Sequence, residues 1–559
     1  MLMKFLSFLI VFLFSWNHAN AQFSDQIDPD FGDNGIKNYF FNIGLKPVKI
    51  CVRADNKILV LLEGTAGNGY LRIVLMNENG TALESGFGIQ NSQSTFGSSF
   101  GSISSPLRPT DMFLLPDQSI YIGGKITNYN PTREDVFVLK LTPNGLLDQT
   151  FGVNGLAEKR LFDNVAVNLR AHGMVVGSDE SIYMSGSLSL SNIYITHFFA
   201  NGTSDLEYGE NGWATIQQDN PNIGTNCKMT ILSDGRLVAA IVGKYNIDEG
   251  IEGDFAPGYY CFLPNGTLDP NFNNGLRAVS YVFNANSSPP LIFTIGFDEF
   301  ILGDIITGIN DTIYITGAVR NEDAFENVFS TLLISLLPNG EYNPSIDSFA
   351  SIDTLGNNLS TESRGFVVYS LSNFDQNFGT RIIKDGNNNL ILSGYGDAND
   401  DVGFLLHLNS KGQPIETFAN NGLLIQNSPL VPFSENIIDL GLQSNGEVIC
   451  LSPSFDLTNN NLEGFYLVRF GEIGPLITSQ IKEQPVLQIY PNPASDVIRI
   501  QSETDQIDTR IFSLSGQFIS RFENQSTIPV SQLPNGLYLL EIKTKQSIQM
   551  HKINVFHSN

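Results

Sequence analysis

Cysteine and histidine are scarce in this chain, and positive charge is outweighed. Four cysteines, Cys51, Cys227, Cys261 and Cys450, occur in 559 residues with no C-x-x-C spacing. That excludes a disulfide-stapled scaffold and a zinc ribbon, and leaves buried thiols or at most one bridge. Six histidines form no H-x-x-x-H pair, so a helix-borne zinc site is absent. Lys and Arg total 31 against 57 Asp and Glu, a formal charge of −26. A chain so acidic disfavours nucleic acid and anionic membrane surfaces as partners and suits cations or basic ones. No G-x-S-x-G elbow and no phosphate-binding loop is present. Beyond the N-terminal segment, no apolar run approaches the length of a bilayer span, so the mature chain is expected to be soluble. With 42% hydrophobic and 16% charged residues, the composition still builds a large core.

What is present begins with two terminal signals. Lys4, the apolar run Phe5 to Trp16 and Ala19-Asn20-Ala21 have the pattern of a cleaved secretory signal, with cleavage expected between Ala21 and Gln22. At the other end, Ile489-Tyr490-Pro491-Asn492-Pro493-Ala494-Ser495 is followed by Leu514-Ser515-Gly516-Gln517 and Leu533-Pro534-Asn535-Gly536-Leu537-Tyr538. β-formers such as Val497-Ile498-Arg499-Ile500 lie between Pro, Asn and Gly punctuation, which reads as short strands and tight turns. This order resembles the type A C-terminal sorting domain of the type IX secretion system. The resemblance rests on Tyr490, Pro491, Asn492, Pro493, Gly516, Leu533, Pro534, Gly536 and Tyr538. It implies a small immunoglobulin-like β-sandwich over 485–559, the type IX machinery as partner, and release outside the cell or attachment to its surface. The chain departs from that family by continuing past the usual basic end into Val555-Phe556-His557-Ser558-Asn559.

Between the signals the sequence repeats. A strand, an Asp/Asn turn and a second strand recur seven times, as Ile50 to Val60, Met112 to Gly123, Gly173 to Gly186, Met229 to Ile241, Ile305 to Gly317, Ile382 to Gly394 and Ile438 to Leu451. Each is followed by a strand, an Asn-Gly or similar turn and a short segment such as Asp148-Gln149-Thr150-Phe151-Gly152. Four short strands per unit, at a fixed period, point to a repeat architecture. The units resemble the delta-sixty repeat family, whose members are thought to form β-propellers. The last unit lacks its Asp-x-x-Phe-Gly segment, and the missing piece stands at the mature N-terminus as Asp28-Pro29-Asp30-Phe31-Gly32. If Ile27 to Ile36 supplies the outer strand of the last unit beside Gly464 to Phe470, the ring closes and leaves no long open edge. The expected fold is therefore all-β: a seven-bladed β-propeller over 22–475, closed by an N-terminal strand, then a linker at 476–484 and the sandwich.

In four-stranded blades the tight turns share one face and the long connections the other. The long ones are Lys125 to Asp135, Gly243 to Gly258, Arg277 to Gly303 and Ser351 to Gly379. Long loops on a rigid scaffold are the usual seat of binding. They are rich in acid, and Asp397, Asp400 and Asp401 are the candidate calcium ligands, although none of these runs keeps the spacing of a calcium loop and a solvated acidic rim is the simpler reading. No other cofactor is implied. His197 and His407 occupy one repeating strand position with Leu75, Lys140, Cys261, Ser335 and Arg469, and no partner residue is evident for either, so a structural role is expected. Cys51 and Cys450 fall on units that meet at closure, where a bridge would need strict geometry. The functional expectation is a secreted, monomeric binding protein with no catalysis of its own, for an extracellular glycan or protein. The alternative is a polysaccharide-acting hydrolase or lyase using carboxylates on the long-loop face, weakened by the lack of any cationic cluster beside them. A structural surface component is a third reading.

Overall fold

The computed structural model describes residues 27–41, 44–64, 69–88, 93–97, 105–129, 132–160, 169–188, 192–216, 226–244, 255–275, 278–279, 281–284, 291–294, 300–321, 328–346, 365–369, 371, 374–397, 401–419, 421–426, 437–456, 462–471, 488–492, 494–501, 508–513, 518–523, 525–543 and 548–557. The chain divides into two compact units, Met1–Gly474 and Pro475–Asn559. Ala21, Gln22, Pro493, Gly516, Asp400 and the linker 476–484 lie outside the described residues.

The first unit is built from four-stranded antiparallel sheets and one two-stranded hairpin. Seven such sheets follow one another, with inner strands Leu45–Val52, Leu107–Leu114, Leu169–Val176, Cys227–Ile231, Phe300–Thr307, Gln376–Lys384 and Asp439–Leu442. These inner strands contact one another in sequence order, and the seventh returns to the first. Buried apolar clusters fill each interface between neighbouring sheets. Between the first and second sheets, for instance, Leu59, Leu61, Leu71 and Ile73 meet Met112, Ile122, Phe137 and Leu139. β-branched and aromatic residues suit such a pleated surface, buried on both faces.

The recurring Asp-x-x-Phe-Gly segment acts as a latch from one sheet to the next. In the second sheet, Asp148 Oδ1 accepts the Thr150 N–H at 3.0 Å and turns the chain. Phe151 then packs beside Gly202, the turn glycine of the third sheet, and the Gly152 N–H reaches the Asn201 carbonyl at 2.8 Å. Gly202 holds a φ of +84°, and a Cβ there would fall 2.6 Å from the Gly152 nitrogen, so only glycine fits. The same backbone bond recurs as Gly32 to Asn79, Gly88 to Asn144, Gly209 to Asn265 and Asn273 to Asn339, at 2.6–2.8 Å.

Closure uses the same device. The Gly32–Asn79 bond ties the N-terminal segment to the first sheet, while Ile36–Phe40 pairs antiparallel with Val468–Gly464 of the seventh. The expected pairing of Ile27 to Ile36 is thus displaced: only Ile27 forms a bridge, to Phe470, and the strand proper starts at Ile36. The reason is local, because Gly32, Asn34 and Gly35 have φ of 55°, 59° and 91° and bend the chain before it can extend. Arg469 rivets the junction. Its Nε donates to Asp28 Oδ2 at 2.7 Å, its Nη1 to the Glu78 carbonyl at 3.2 Å and to Gln443 Oε1 at 3.1 Å, and its guanidinium lies over the Phe31 ring.

The second unit has a three-stranded sheet, Gln488–Tyr490, Val497–Gln501 and Thr527–Pro529, and a four-stranded sheet, Phe518–Glu523, Asp508–Ser513, Gly536–Lys543 and Ile548–Val555. Ile498, Ile500, Ile528, Ile511, Leu540 and Ile553 form their shared core. The motif residues hold the last strand: Asn492 accepts the Asn554 N–H at 2.8 Å, and Asn535 accepts that of His557 at 2.7 Å. The Tyr538 hydroxyl donates to the Pro534 carbonyl at 2.8 Å. His557 is therefore pinned to the Leu533-Pro534-Asn535 turn.

Candidate functional site

Five of the seven inner strands carry an irregularity at the same place, between Pro47 and Lys49, Pro109 and Asp111, Ala171 and Gly173, Leu302 and Asp304, and Gly379 and Arg381. A bulge bends a strand and re-aims the next side chain. The residues just past it are Lys49, Asp111, Gly173, Asp304 and Arg381. Lys228 and Asp439 hold the matching register in the other two strands, opposite Ala240 and Leu451. All seven residues line one cavity of about 480 Å³ enclosed by the inner strands. In ring order they read Lys49, Asp111, Gly173, Lys228, Asp304, Arg381, Asp439: three cations, three carboxylates and one gap.

Each carboxylate reaches forward to the next sheet. Asp111 Oδ2 accepts the Met174 N–H at 3.3 Å, Asp304 Oδ2 that of Ile382 at 3.5 Å, and Asp439 Oδ2 that of Ile50 at 2.8 Å. Two of the cations are held between them. Lys49 Nζ stands 3.4 Å from Asp111 and 3.7 Å from Asp439, and Arg381 lies 3.5 Å from Asp439 and 4.0 Å from Asp304 while donating to the Ile438 carbonyl at 2.8 Å. Lys228 differs: among the described residues no carboxylate lies within 4.0 Å of its ammonium.

The electrostatics follow that arrangement. Burial alone would lower the Lys49 ammonium, but Asp111 and Asp439 outweigh it and hold the group above its ordinary value. Burial would raise Asp111, yet Lys49, Lys228 and Arg381 keep its carboxyl below the usual range. Lys228 is lowered to about 8, first by burial and then by Arg381. His172, in the bulge before Gly173, is lowered to about 4 by burial and by Lys228, and its Nε2 lies 2.8 Å from Ser187 Oγ. The ring thus offers fixed carboxylates beside fixed cations, with one cation open to the cavity.

The candidates named from sequence lie elsewhere. Lys125 to Asp135 is not a loop but the end of a hairpin whose strands pair as far as Tyr129 and Thr132. Its acids are paired with cations, Glu134 with Lys125 at 2.8 Å and Asp135 with Arg133 at 2.7 Å. Asp397 and Asp401 are register partners at the end of another hairpin, and no group of three metal-ligating residues occurs among the described residues. All four cysteines are free thiols, Cys51 and Cys450 included. His197 and His407 do have partners, contrary to expectation: His197 Nδ1 lies 3.0 Å from Asp205, and His407 Nε2 lies 3.0 Å from Asp385. The other nitrogen of each ring is buried without a hydrogen bond among the described residues, so neither imidazole presents a basic nitrogen to the cavity. They occupy the repeat position of Lys140 and Arg469, which meet Asp148 and Asp28; His197 makes the matching contact with Asp205, and His407 turns instead to Asp385.

Residues 488–555 match the family described as "Secretion system C-terminal sorting domain". The chain carries an export tail. It is sent by type IX secretion to the cell surface or the extracellular space, and no helix among the described residues is long and apolar enough to cross a membrane. Residues 115–151 match "Domain of unknown function (DUF5122) beta-propeller", and the exported chain is all-β with a propeller fold. Over 57 residues it is 42% identical to beta-agarase D of Zobellia galactanivorans, a match covering 10% of this chain and 12% of that protein. Among solved structures it is similar to a polysaccharide lyase, an ulvan lyase (TM-score 0.41, 11% identity, 78% of this chain and 96% of that one). It is also similar to Drosophila Semaphorin 2a (0.41, 8%, 93% and 98%) and to an α-L-arabinofuranosidase of Fusarium graminearum (0.35, 8%, 80% and 95%). The expectation of a chain with no catalysis of its own is withdrawn in view of the partial match to a beta-agarase.

Proposed function

We propose that this chain is an exported enzyme that acts on an extracellular polysaccharide as a hydrolase or lyase, built as a seven-bladed propeller with an immunoglobulin-like sorting sandwich. The observation that carries the reading is the charged ring. A hydrolase needs carboxylates to donate and accept protons, and a lyase needs a base together with cations that steady developing negative charge. The sequence reading counted against catalysis because no cations stood beside the loop carboxylates. The ring interleaves them: Asp111 and Asp304 flank the stretch that contains Gly173 and Lys228, in a cavity of about 480 Å³, the size of small-ligand sites. The reacting carboxylates are therefore assigned to Asp111 and Asp304 rather than to the long-loop face.

The mature chain incubated with a panel of neutral and acidic polysaccharides is expected to release new reducing ends from at least one, with added ultraviolet absorbance from an unsaturated product if it is a lyase. Asp304→Asn and Asp111→Asn are each expected to slow turnover about 100-fold or more, the scale of a lost acid or base. Binding of a polysaccharide without any product, or undiminished turnover in both variants, would sink the reading.

A further inference from the structure

Of the three cations in the ring, Lys49 and Arg381 are spent on carboxylates at 3.4–4.0 Å, and Lys228 is not. The cause is arithmetic. Seven positions cannot alternate in sign around a closed ring, so one must break the series, and here it is Gly173, the neighbour of Lys228. With no side chain at Gly173, the nearest atoms to a Cβ placed there would be the Cys227 carbonyl oxygen at 3.7 Å and Asp111 Oδ2 at 3.9 Å, which is ordinary contact with room to spare. The wall of the cavity therefore opens beside a cation that no carboxylate among the described residues neutralises at close range.

The geometry points to Lys228 as the anchor of an anion site in this cavity, where it takes the oxyanion of a small ligand or of one sugar residue, a carboxylate or a sulfate. The charged and titratable groups around Lys228 are Asp304, Arg381, Asp111 and Lys49, with His172 on the adjoining strand. His172 is neutral above about pH 4, so it neither competes for the anion nor repels it at neutral pH. The lowered value of Lys228, about 8, sets the window: the site is charged below it and empties of charge above. The identity of the ligand as a sugar acid rests on the polysaccharide reading above; the anion site itself does not.

Calorimetric titration of the mature full chain with galacturonate, inorganic sulfate and galactose tests this. At pH 7 at least one anion is expected to bind and galactose not to. Galacturonate alone assigns the group as a carboxylate, and sulfate alone as a sulfate. In the wild type, affinity should fall at least tenfold between pH 7 and pH 9.5. Lys228→Met and Lys228→Gln should each lose at least tenfold at pH 7, Lys228→Arg should retain binding, and Gly173→Asp should lose it by placing a carboxylate beside Lys228. Absence of heat with both anions at millimolar concentration, galactose binding as tightly as galacturonate, or wild-type affinity in folded Lys228→Met would overturn the proposal. A chain that binds an anion through Lys228 but cleaves nothing would fail only the polysaccharide reading. Cleavage of neutral glycans without anion binding would fail only this one.

Discussion

The two arcs of the charged ring obey different logic. On the arc formed by the sixth, seventh, first and second sheets, signs alternate without interruption: Arg381, Asp439, Lys49, Asp111. Every charge there is paired, and Asp439, with its side chain 4% exposed, also accepts the Ile50 N–H at 2.8 Å. On the opposite arc a gap at Gly173 interrupts that order, and Lys228 forms no ion pair among the described residues. The contrast separates what closes the ring from what is left over to meet a ligand. Asp439, engaged with two cations and a backbone amide, stitches sheets together, whereas Lys228 is left to meet a ligand, with Asp111 and Asp304 on either side of the stretch that holds it.

The largest test of that contrast is Asp439→Ala. Removing one member of a buried charge cluster leaves Lys49 and Arg381 without their shared partner, and about 3–5 kcal/mol of stability should be lost in chemical denaturation. Arg381→Met should cost less, about 2–3 kcal/mol, since Asp439 keeps Lys49 and its amide contact. Lys228→Met should be neutral or stabilising by up to about 1 kcal/mol, because an apolar chain replaces a cation that gains no close partner on folding. If Lys228→Met were as damaging as Asp439→Ala, the arcs would not differ in kind.

A smaller effect sharpens the same point through pH. The folded value of Lys228, about 8, lies below its ordinary 10.5, so across that interval the unfolded chain binds the proton more tightly than the folded one. Stability contributed by this group should therefore rise as pH increases from about 8 to 10.5, and Lys228→Met should abolish that rise. The smallest expected signal concerns the thiols. Burial pushes Cys51, Cys227 and Cys261 up to about 12 and Cys450 higher still. A disulfide reagent at pH 8 should accordingly find almost no reactive thiol in the folded chain.

Much of the fold was legible because it is written in turns. Asn-Gly pairs and the Asp-x-x-Phe-Gly segment recur at fixed spacing, and the absence of that segment from the last unit places the closing piece at the N-terminus. The closing strand was misplaced by several residues, since Gly32, Asn34 and Gly35 act as a turn and not as an extended edge. The ring was missed for a related reason. Alternation locates strand faces, and a bulge interrupts alternation just where Lys49, Asp111, Asp304 and Arg381 stand. The visible repeat accordingly begins one residue later, at Ile50, Met112, Ile305 and Ile382, just past the charge. Aligning the single residue preceding each copy would have revealed a set rich in Lys, Asp and Arg. The histidine partners were hidden differently, because Asp385 lies 22 positions before His407, in the turn after strand Gln376–Lys384, and meets it only once the sheet has formed.

Pairing of Ile36–Phe40 with residues 464–468 has a consequence for how the molecule is made. Strand Ile36–Phe40 has no strand to pair with until residues 464–468, more than four hundred positions downstream, have been synthesised. Closure of the ring of sheets is therefore deferred until nearly all of the first unit, Met1–Gly474, has been made.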